Sequence, residues 1–543
     1  MIMATNLFSF SLFIFSLTLL VLTILYSEKL YKIDTHQNEI MSININFASR
    51  SSRSTPRWYQ VVARKINRKK IKIGLLHVAN GSFSEKRAYY GEEVEVVNIL
   101  LEHVSQEVKW NDLFPEWINE SLPWDSTKCP YIPMPQFDKY DDLDVVVADV
   151  PCGEERRGRG RSHNDVFRLQ VNLMVANLLV RSGRKNVNGI DDHIVFAVFR
   201  GSCGPMWEIF RCDDLLWHEG KSWVYRPDMG KLKQKVLMPV GSCQLAPPIA
   251  EPGQDGWNKG KEAYVTVLHS SEDYVCGAIA LAQSIIRSNS TKDLVLLVDD
   301  SISMKSLQGL KAAGWKIKHI TRIRSPHARS ETYNEWNYSK LRIWQLMEYS
   351  KLIFIDSDFI VLRNTDEFFI YPQLSAAGNS RYVFNSGFML VEPSNCTFET
   401  LMRQRFKVAS YNGGDQGFLN EMFVWWHRWP TKLNFLKDFN LLPNYSMHEL
   451  IPEDVYALHY LGFKPWMCRL DQDYDCNWDV PENKRFASDS AHGMWRQVYN
   501  SMPSTLRVHC VLTPEMEERK KMHIATTDFN GSFGRKFVST EDS

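Results

Sequence analysis

The chain has 543 residues, enough for two or three domains because single cores rarely grow past roughly 300 residues. Its 64 Lys and Arg almost balance its 63 Asp and Glu, so no whole-chain field draws a polyanion and nucleic acid is not an expected partner. Charged ligands have to be read from local motifs.

From Leu7 to Tyr26 the chain carries no charge over the ~20 residues that a helix needs to cross a bilayer core. A cleaved signal peptide would have a shorter apolar core and a small-x-small site, and none precedes Glu28 and Lys29. The reading is a cytosolic tail over 1–6, a transmembrane anchor over 7–26 and a polar stem over 27–70. Lys29 and Lys32 by themselves would keep the body of the protein in the cytosol. Two features point instead to an oxidising lumen. Of the ten cysteines, Cys203, Cys212, Cys468 and Cys476 fall in short-range pairs that suit disulfides, and Asn-x-Ser/Thr sites occur at Asn80, Asn119, Asn289, Asn395 and Asn444.

Residues 71–250 read as a smaller N-terminal α/β domain. Ile71 to Val78 and Leu143 to Val150 are short apolar runs typical of buried strands, Glu92 to Val108 has helical spacing, Val166 to Val180 is a helix and Ile194 to Phe199 a strand. The loop Gly153 to Ser162 carries Arg156, Arg157, Arg159 and Arg161 but lacks the strand-turn-helix fingerprint of a nucleotide loop, so it is assigned no site. Pro247, Pro248, Pro252 and Gly253 mark the boundary to a second domain over 251–500. There, strands at Ala263–Leu268, Leu294–Val298 and Lys316–Ile320 alternate with helices at Val275–Arg287 and Ser303–Ala313, the pattern of a mainly parallel, Rossmann-like α/β sheet. Residues 501–543 read as a charged tail without a site.

Ligands of such sheets sit outside the carboxyl ends of the strands, and four clusters lie in such places. After the helical stretch Ser339–Tyr349, an apolar strand ends in Asp356-Ser357-Asp358. In extended backbone the two carboxylates project to one side and can face a hard cation, whereas an Asp-x-Asp pair elsewhere is commonly a surface pair or a helix cap. The run Phe384-Asn385-Ser386-Gly387 places an amide and a hydroxyl beside a glycine that admits close approach of a ligand. Asn412-Gly413-Gly414-Asp415-Gln416 is a glycine turn into a helix, with Asp415 readable as a plain N-cap. Last, a short strand carries His459, followed by Gly462 and by Lys464, which suits a phosphate.

Together with Tyr264-Val-Thr-Val-Leu-His269 and Ser339-Lys340-Leu-Arg342-Ile-Trp344, these clusters resemble glycosyltransferase family 8, the family of glycogenin, from Ala263 to Trp466. The resemblance implies a GT-A fold and retaining transfer from a UDP-sugar. It implies Mn2+ held by Asp356, Asp358 and His459, a ligand set reasonable for that ion. It also assigns the uridine to Val267, His269 and Tyr274, and the rest of the donor to Lys340, Ser357, Asn385, Ser386, Gly462 and Lys464. Asp415, Gln416 and Lys464 are the expected catalytic residues.

The N-terminal domain extends the likeness. Cys129-Pro-Tyr-Ile-Pro-Met-Pro, Asp165-Val-Phe-Arg-Leu-Gln-Val-Asn172, Cys203-Gly-Pro-Met, Phe210-Arg-Cys-Asp213-Asp214 and Leu237-Met-Pro-Val-Gly-Ser-Cys243-Gln are similar to plant glycogenin-like proteins of the xylan glucuronosyltransferase subgroup. That resemblance implies transfer of glucuronate from UDP-glucuronate to O-2 of xylosyl units of xylan, by a single-pass type II protein of the Golgi membrane with its catalytic domain in the lumen. The partner expectation extends to a Golgi transferase complex or a homo-oligomer. The alternatives are a family 8 enzyme using UDP-galacturonate or UDP-glucose, including self-glycosylation at Tyr445, and an inactive sugar-nucleotide-binding scaffold. Arg342 and Arg381 are candidates to meet a donor carboxylate. Trp336, Trp425, Trp426 and Trp429 are candidate acceptor platforms, with core filling the preferred role for most of them.

Overall fold

The computed structural model describes residues 55–66, 68–78, 93–121, 129–152, 165–183, 194–248, 260–379, 383–436, 451–468, 476, 488–511 and 514. The expected anchor at Leu7–Tyr26, most of the expected stem, the basic loop Gly153–Ser162, Asn80, Asn444, Tyr445 and Arg381 lie outside these residues. Among the described residues no helix is long and apolar enough to cross a membrane.

The first sheet has six strands in the order β2-β1-β3-β4-β6-β5. Strands β1 (Ile71–Leu76), β2 (Val94–Ile99), β3 (Val145–Asp149) and β4 (Phe196–Arg200) run parallel, and β5 (Leu215–Glu219) and β6 (Ser222–Tyr225) close it as an antiparallel hairpin. Val145 and Val147 pack on one face and Val146 and Ala148 on the other, as parallel strands covered on both sides require. The expectation of helical spacing over Glu92–Val108 fails at β2. Its branched residues Val94, Val96, Val97 and Ile99 favour extended backbone, and β1 supplies the pairing partner. The expected stem also holds order: α1 (Arg57–Ala63) buries Trp58 and Val62, one turn apart, against Phe196 and Val224. Helix α2 (Val166–Ser182), capped by Asp165, crosses the sheet, and α3 (Met229–Val236), capped by Asp228, follows the hairpin.

The second sheet has seven strands in the order β14-β12-β13-β10-β7-β8-β9. Strands β7 (Glu262–Leu268), β8 (Asp293–Val298), β9 (Lys316–His319) and β10 (Lys351–Ile355) are parallel, with α4 (Val275–Arg287) and α5 (Met304–Ala312) as crossovers. Beyond β10 the sheet becomes mixed: β13 (Phe384–Val391) is antiparallel to β10, and β12 (Ser375–Gly378) and β14 (His427–Trp429) complete it. A small sheet of β11 (Phe359–Val361), β16 (Ala457–His459) and β15 (Phe435–Leu436) lies beside it. Helices α6 (Asn395–Gln404), α7 (Asp415–Met422) and α8 (Asp489–Ser501) complete the layers. The expected tail contributes core as well, since Met502, Leu506 and Cys510 are buried and Cys510 is disulfide-bonded to Cys276 of α4.

All ten cysteines form disulfides. The Cys468–Cys476 pair is short-range as expected, but Cys203 pairs with Cys152 and Cys212 with Cys396. Spacing failed there because the sheets bring residues 51 and 184 positions apart into reach. The Cys212–Cys396 bond belongs to a seam between the two sheets. Buried Glu392, just past β13, faces Lys231 at 3.3 Å and Arg211 at 3.7 Å, and Lys351 at the start of β10 donates to Gln234 Oε1 at 3.0 Å. Trp207 donates to the Met422 carbonyl, and Arg428 to those of Ser242 and Pro115. Because Lys351 and Glu392 mark the amino-terminal edge of β10, this part of the seam leaves the opposite, carboxyl edge open.

Candidate active site

Strand β10 is buried along its whole length and ends in a turn carrying Asp356, Ser357 and Asp358 before β11 begins. Ser357 turns its carbonyl toward α4, where a Cβ on Gly277 would lie 2.4 Å from it, so that glycine lets the helix press against the turn. The pairing of β11 with β16 sets Phe359 opposite His459. The His459 ring stacks on Phe359 at 4.1 Å, and its Nδ1 meets Asn434 Oδ1 at 3.1 Å. If that nitrogen donates to the amide oxygen, Nε2 keeps its lone pair free toward Asp358 Oδ1, 3.5 Å away. One ligand atom each from Asp356, Asp358 and His459 lies within 4.8 Å of the others.

Strand β13 forms the floor. A Cβ at Gly387 would come within 2.9 Å of Asp356 Oδ2 and 3.0 Å of His459 Cε1, so the cradle exists only because the side chain is missing. Asn385 Oδ1 accepts from Gly387 N at 2.8 Å. Ser386 Oγ donates to Asp415 Oδ2 at 2.8 Å, and Ser386 N donates to Gln416 Oε1 at 3.2 Å. Asp415 begins α7 after the cap residue Gly414, but its carboxylate bonds Ser386 and Lys340, a role the plain N-cap reading does not cover.

Two buried lysines complete the cluster. Lys340, from the 3-10 segment Asn337–Gln345, lies 2.5 Å from Asp415 Oδ2 and 3.4 Å from Asp356 Oδ1. Burial opposes its charge, yet Asp356 and Asp415 outweigh this and raise its pKa. Lys464, after the turn at Gly462 with its φ of 66°, donates to Asp358 Oδ2 at 2.7 Å and to the Tyr460 carbonyl at 2.6 Å. Burial pushes the Asp358 carboxyl up, but the Lys464 ammonium in contact with it outweighs this and holds the pKa well below the usual range. For Asp356 burial prevails over Lys340, and neighbouring Asp358 and Asp415 push its pKa further up. Among the described residues three carboxylates here face two ammonium groups, so these five keep a net negative charge beside a triangle of oxygen and nitrogen donors. That charge and donor set fit a divalent cation.

The loop after β7 forms the other wall. His269 is neutral, its pKa lowered to about 4 by burial, and its Nδ1 lies 2.8 Å from Ser270 Oγ. Arg322 pairs with Asp299 after β8 at 2.9 Å and reaches Ser270 Oγ at 3.3 Å, which ties this loop to its neighbours. The Tyr274 ring stands 5.8 Å from Lys464 Nζ and edge-on to Trp466 at 5.7 Å. The uridine candidates thus abut the acidic cluster, although Val267 packs partly into the core beneath it.

Other candidates are engaged elsewhere. Trp425, Trp426 and Trp429 are core residues, and Trp336 stacks under Arg322 at 4.4 Å. Arg342 donates to the Thr321 carbonyl and to Gln345 Oε1 and lies over Phe398. Sequence reasoning missed Asn434, which orients His459, and Tyr411, whose hydroxyl lies 2.8 Å from Gln416 Nε2. Both sit outside any motif, so nothing in the sequence singled them out.

Comparison with known proteins agrees with this geometry. Residues 48–243 match the GUX1-5 N-terminal domain and residues 265–372 match glycosyl transferase family 8. The chain is 48% identical over 88% of its length to a putative UDP-glucuronate:xylan alpha-glucuronosyltransferase 4 of Arabidopsis thaliana, of which 86% is covered. It is 49% identical to the putative enzyme 5, with the same coverage of both chains. It is 47% identical to UDP-glucuronate:xylan alpha-glucuronosyltransferase 2, over 85% of this chain and 79% of that one.

Proposed function

The chain belongs to glycosyltransferase family 8, in the subgroup of plant xylan alpha-glucuronosyltransferases, and is a hexosyltransferase; from that premise we propose that it transfers glucuronate from UDP-glucuronate to O-2 of xylosyl residues of xylan, with retention and with Mn2+. One observation carries the enzymatic reading: four separate loops bring Asp356, Asp358, His459, Lys340, Asp415 and Lys464 together at the carboxyl edge of a single sheet. The names of the relatives support the donor and acceptor, and the mixed carboxylate and imidazole set supports the metal.

Breaking the bond from sugar to diphosphate puts negative charge on the departing phosphate, and a divalent ion held by Asp356, Asp358 and His459 would offset it without a proton transfer. Lys464, next to Asp358, adds a positive charge on the same side. Asn434 holds the His459 ring in orientation, and Gly387 leaves room for the donor above β13. Lys340 and Ser386 position Asp415, the carboxylate assigned to the sugar carbon, with Gln416 beside it. Asp415 either attacks that carbon or steadies the ion pair through which the acceptor attacks from the same face. Trapping a glycosylated peptide that contains Asp415 distinguishes the first route.

The compartment belongs to the same proposal: a single-pass type II protein of the Golgi membrane with this site in the lumen. Five disulfides and the exposure of Asn119, Asn289 and Asn395 support it. The decisive assay incubates the purified lumenal part with Mn2+, xylo-oligosaccharides and, in turn, UDP-glucuronate, UDP-galacturonate, UDP-glucose and UDP-xylose. Product formed with UDP-glucuronate alone is expected. Equal or better turnover of a neutral donor would reject the donor assignment, and no turnover of any donor would favour the scaffold.

A further inference from the structure

Trp425, Trp426 and Trp429 are in the core, so among the described residues these three offer no platform for a polysaccharide acceptor, yet two other rings stand open at the site's rim. Tyr333 is 74% exposed and Tyr411 55% exposed. Tyr411 is coupled to the reaction centre, since Gln416 Nε2 donates to its hydroxyl at 2.8 Å while Gln416 Oε1 accepts from Ser386 N. Tyr333 lies beside Tyr411, because Asn334, the residue after it, donates to the carbonyl of Asn412, the residue after Tyr411; Tyr274, burial and the carboxylates of Asp358, Asp356 and Asp415 raise its pKa.

The loops that carry the two rings are locked together. Asn334 Nδ2 donates to the Asn412 carbonyl at 2.8 Å, and Ser325 Oγ to the Gly413 carbonyl at 2.7 Å. Each loop is also braced internally. Ser325 N donates to the Glu335 carbonyl, Arg324 pairs with Glu335, and Asn412 Oδ1 accepts from both Gly414 N and Gly417 N. Gly413, at φ +72°, allows the second loop to turn where a Cβ would lie 3.2 Å from the His327 carbonyl. Rings held in this way lose little freedom when a ligand covers them. Their negative π-faces meet polarised C–H groups favourably, and exposed aromatics beside a site are a usual mark of a binding surface.

We infer that Tyr333 and Tyr411 are the acceptor platform, two rings on adjoining loops against which successive pyranose units of a neutral polysaccharide stack, placing one hydroxyl beside Asp415. This rests on the proposed transfer to xylan. Tyr333 and Tyr411 are positioning residues for the acceptor, and Tyr411 also ties the platform to Gln416.

The test compares the full lumenal protein with Tyr333→Leu, Tyr333→Phe and Tyr411→Leu, measuring KM for xylohexaose and the dissociation constant of UDP with Mn2+. Loss of an aromatic anchor should raise the KM of each leucine variant roughly 5- to 20-fold, with UDP affinity shifting less than about two-fold. Tyr333→Phe should recover most of the loss. An unchanged KM in both leucine variants, or UDP affinity falling by the same factor as the KM rises, would overturn the platform. If the wild-type protein does not use xylohexaose, calorimetry with cello- and manno-oligosaccharides separates the two claims. Binding that both leucine variants lose supports the platform and rejects xylan as acceptor, whereas no binding of any neutral oligosaccharide overturns both.

Discussion

The protein contains two α/β sheets whose parallel strands end in polar residues, and among the described residues only one of those edges has the makings of a catalytic centre. At the carboxyl edge of the first sheet, Asp149 at the end of β3 pairs with Arg200 of β4 at 3.0 Å, His77 Nδ1 meets the Asp149 carbonyl, and Cys152–Cys203 ties the flanking loops together. One charge answers another there, and both side chains remain about a quarter exposed. At the matching edge of the second sheet, Asp356, Asp358 and Asp415 outnumber Lys340 and Lys464, all five within one cluster and most of them buried. Shared topology therefore does not confer a site. What distinguishes the second edge is an uncompensated buried charge next to space kept clear by Gly387.

This contrast is open to attack at both edges and at the seam between them. The largest effect is expected from Asp358→Asn, which keeps the side-chain shape but removes the charge facing Lys464 and the metal. Turnover with saturating Mn2+ should fall by about 10³-fold or more, about 4 kcal/mol, at a temperature where circular dichroism shows the variant folded. Near-normal turnover would place the chemistry elsewhere.

At the seam, Glu392→Ala strips the partner from Lys231 and Arg211 in a buried setting and should cost about 3–5 kcal/mol in urea unfolding. Burial raises the Glu392 pKa, but Lys231 and Arg211 overcome this and lower it from 4.5 to about 2. The Glu392 contribution is accordingly complete above pH 4.5 and disappears as the pH falls through about 2, so the gap between wild type and variant should narrow across that window. A gap independent of pH would show that packing, not charge, holds the seam.

Smaller effects come next. Asn434→Ala frees the His459 ring without touching a ligand atom and should weaken metal affinity about 10- to 100-fold, measurable by titrating Mn2+ into the protein. Unchanged affinity would mean that stacking on Phe359 alone orients the ring. The least is expected from Arg200→Ala at the first sheet's edge: less than about 1 kcal/mol of stability and no change in turnover, because an ion pair still open to solvent contributes little. A large loss of activity there would show that the two edges work together after all.

Local pattern made much of this legible. The β10 run Lys351–Ile355, its terminal Asp356 and Asp358, and the α4 helix at Val275–Arg287 were readable because hydrophobic periodicity and strand-end polarity are properties of adjacent residues. The same reasoning misjudged β2, where spacing suggested a helix but a parallel partner some twenty residues away decided for a strand. It misplaced Cys203 and Cys212, whereas the preferred reading of the tryptophans as core filling holds for Trp425, Trp426 and Trp429. Asn434 and Tyr411 carried no signal, since their contacts with His459 and Gln416 are made in space and follow from no motif or spacing.

Sequence alone thus determined the chemical inventory: which residues can ligate, carry charge or bend the backbone, and the likeness of their order to a known family. Tertiary structure decided which of them meet. Asp356 and His459 are 103 positions apart, and only the pairing of β11 with β16 brings them within reach of one ion. The protonation of the carboxylates follows from the same convergence, because burial and neighbouring charge act through space and not along the chain.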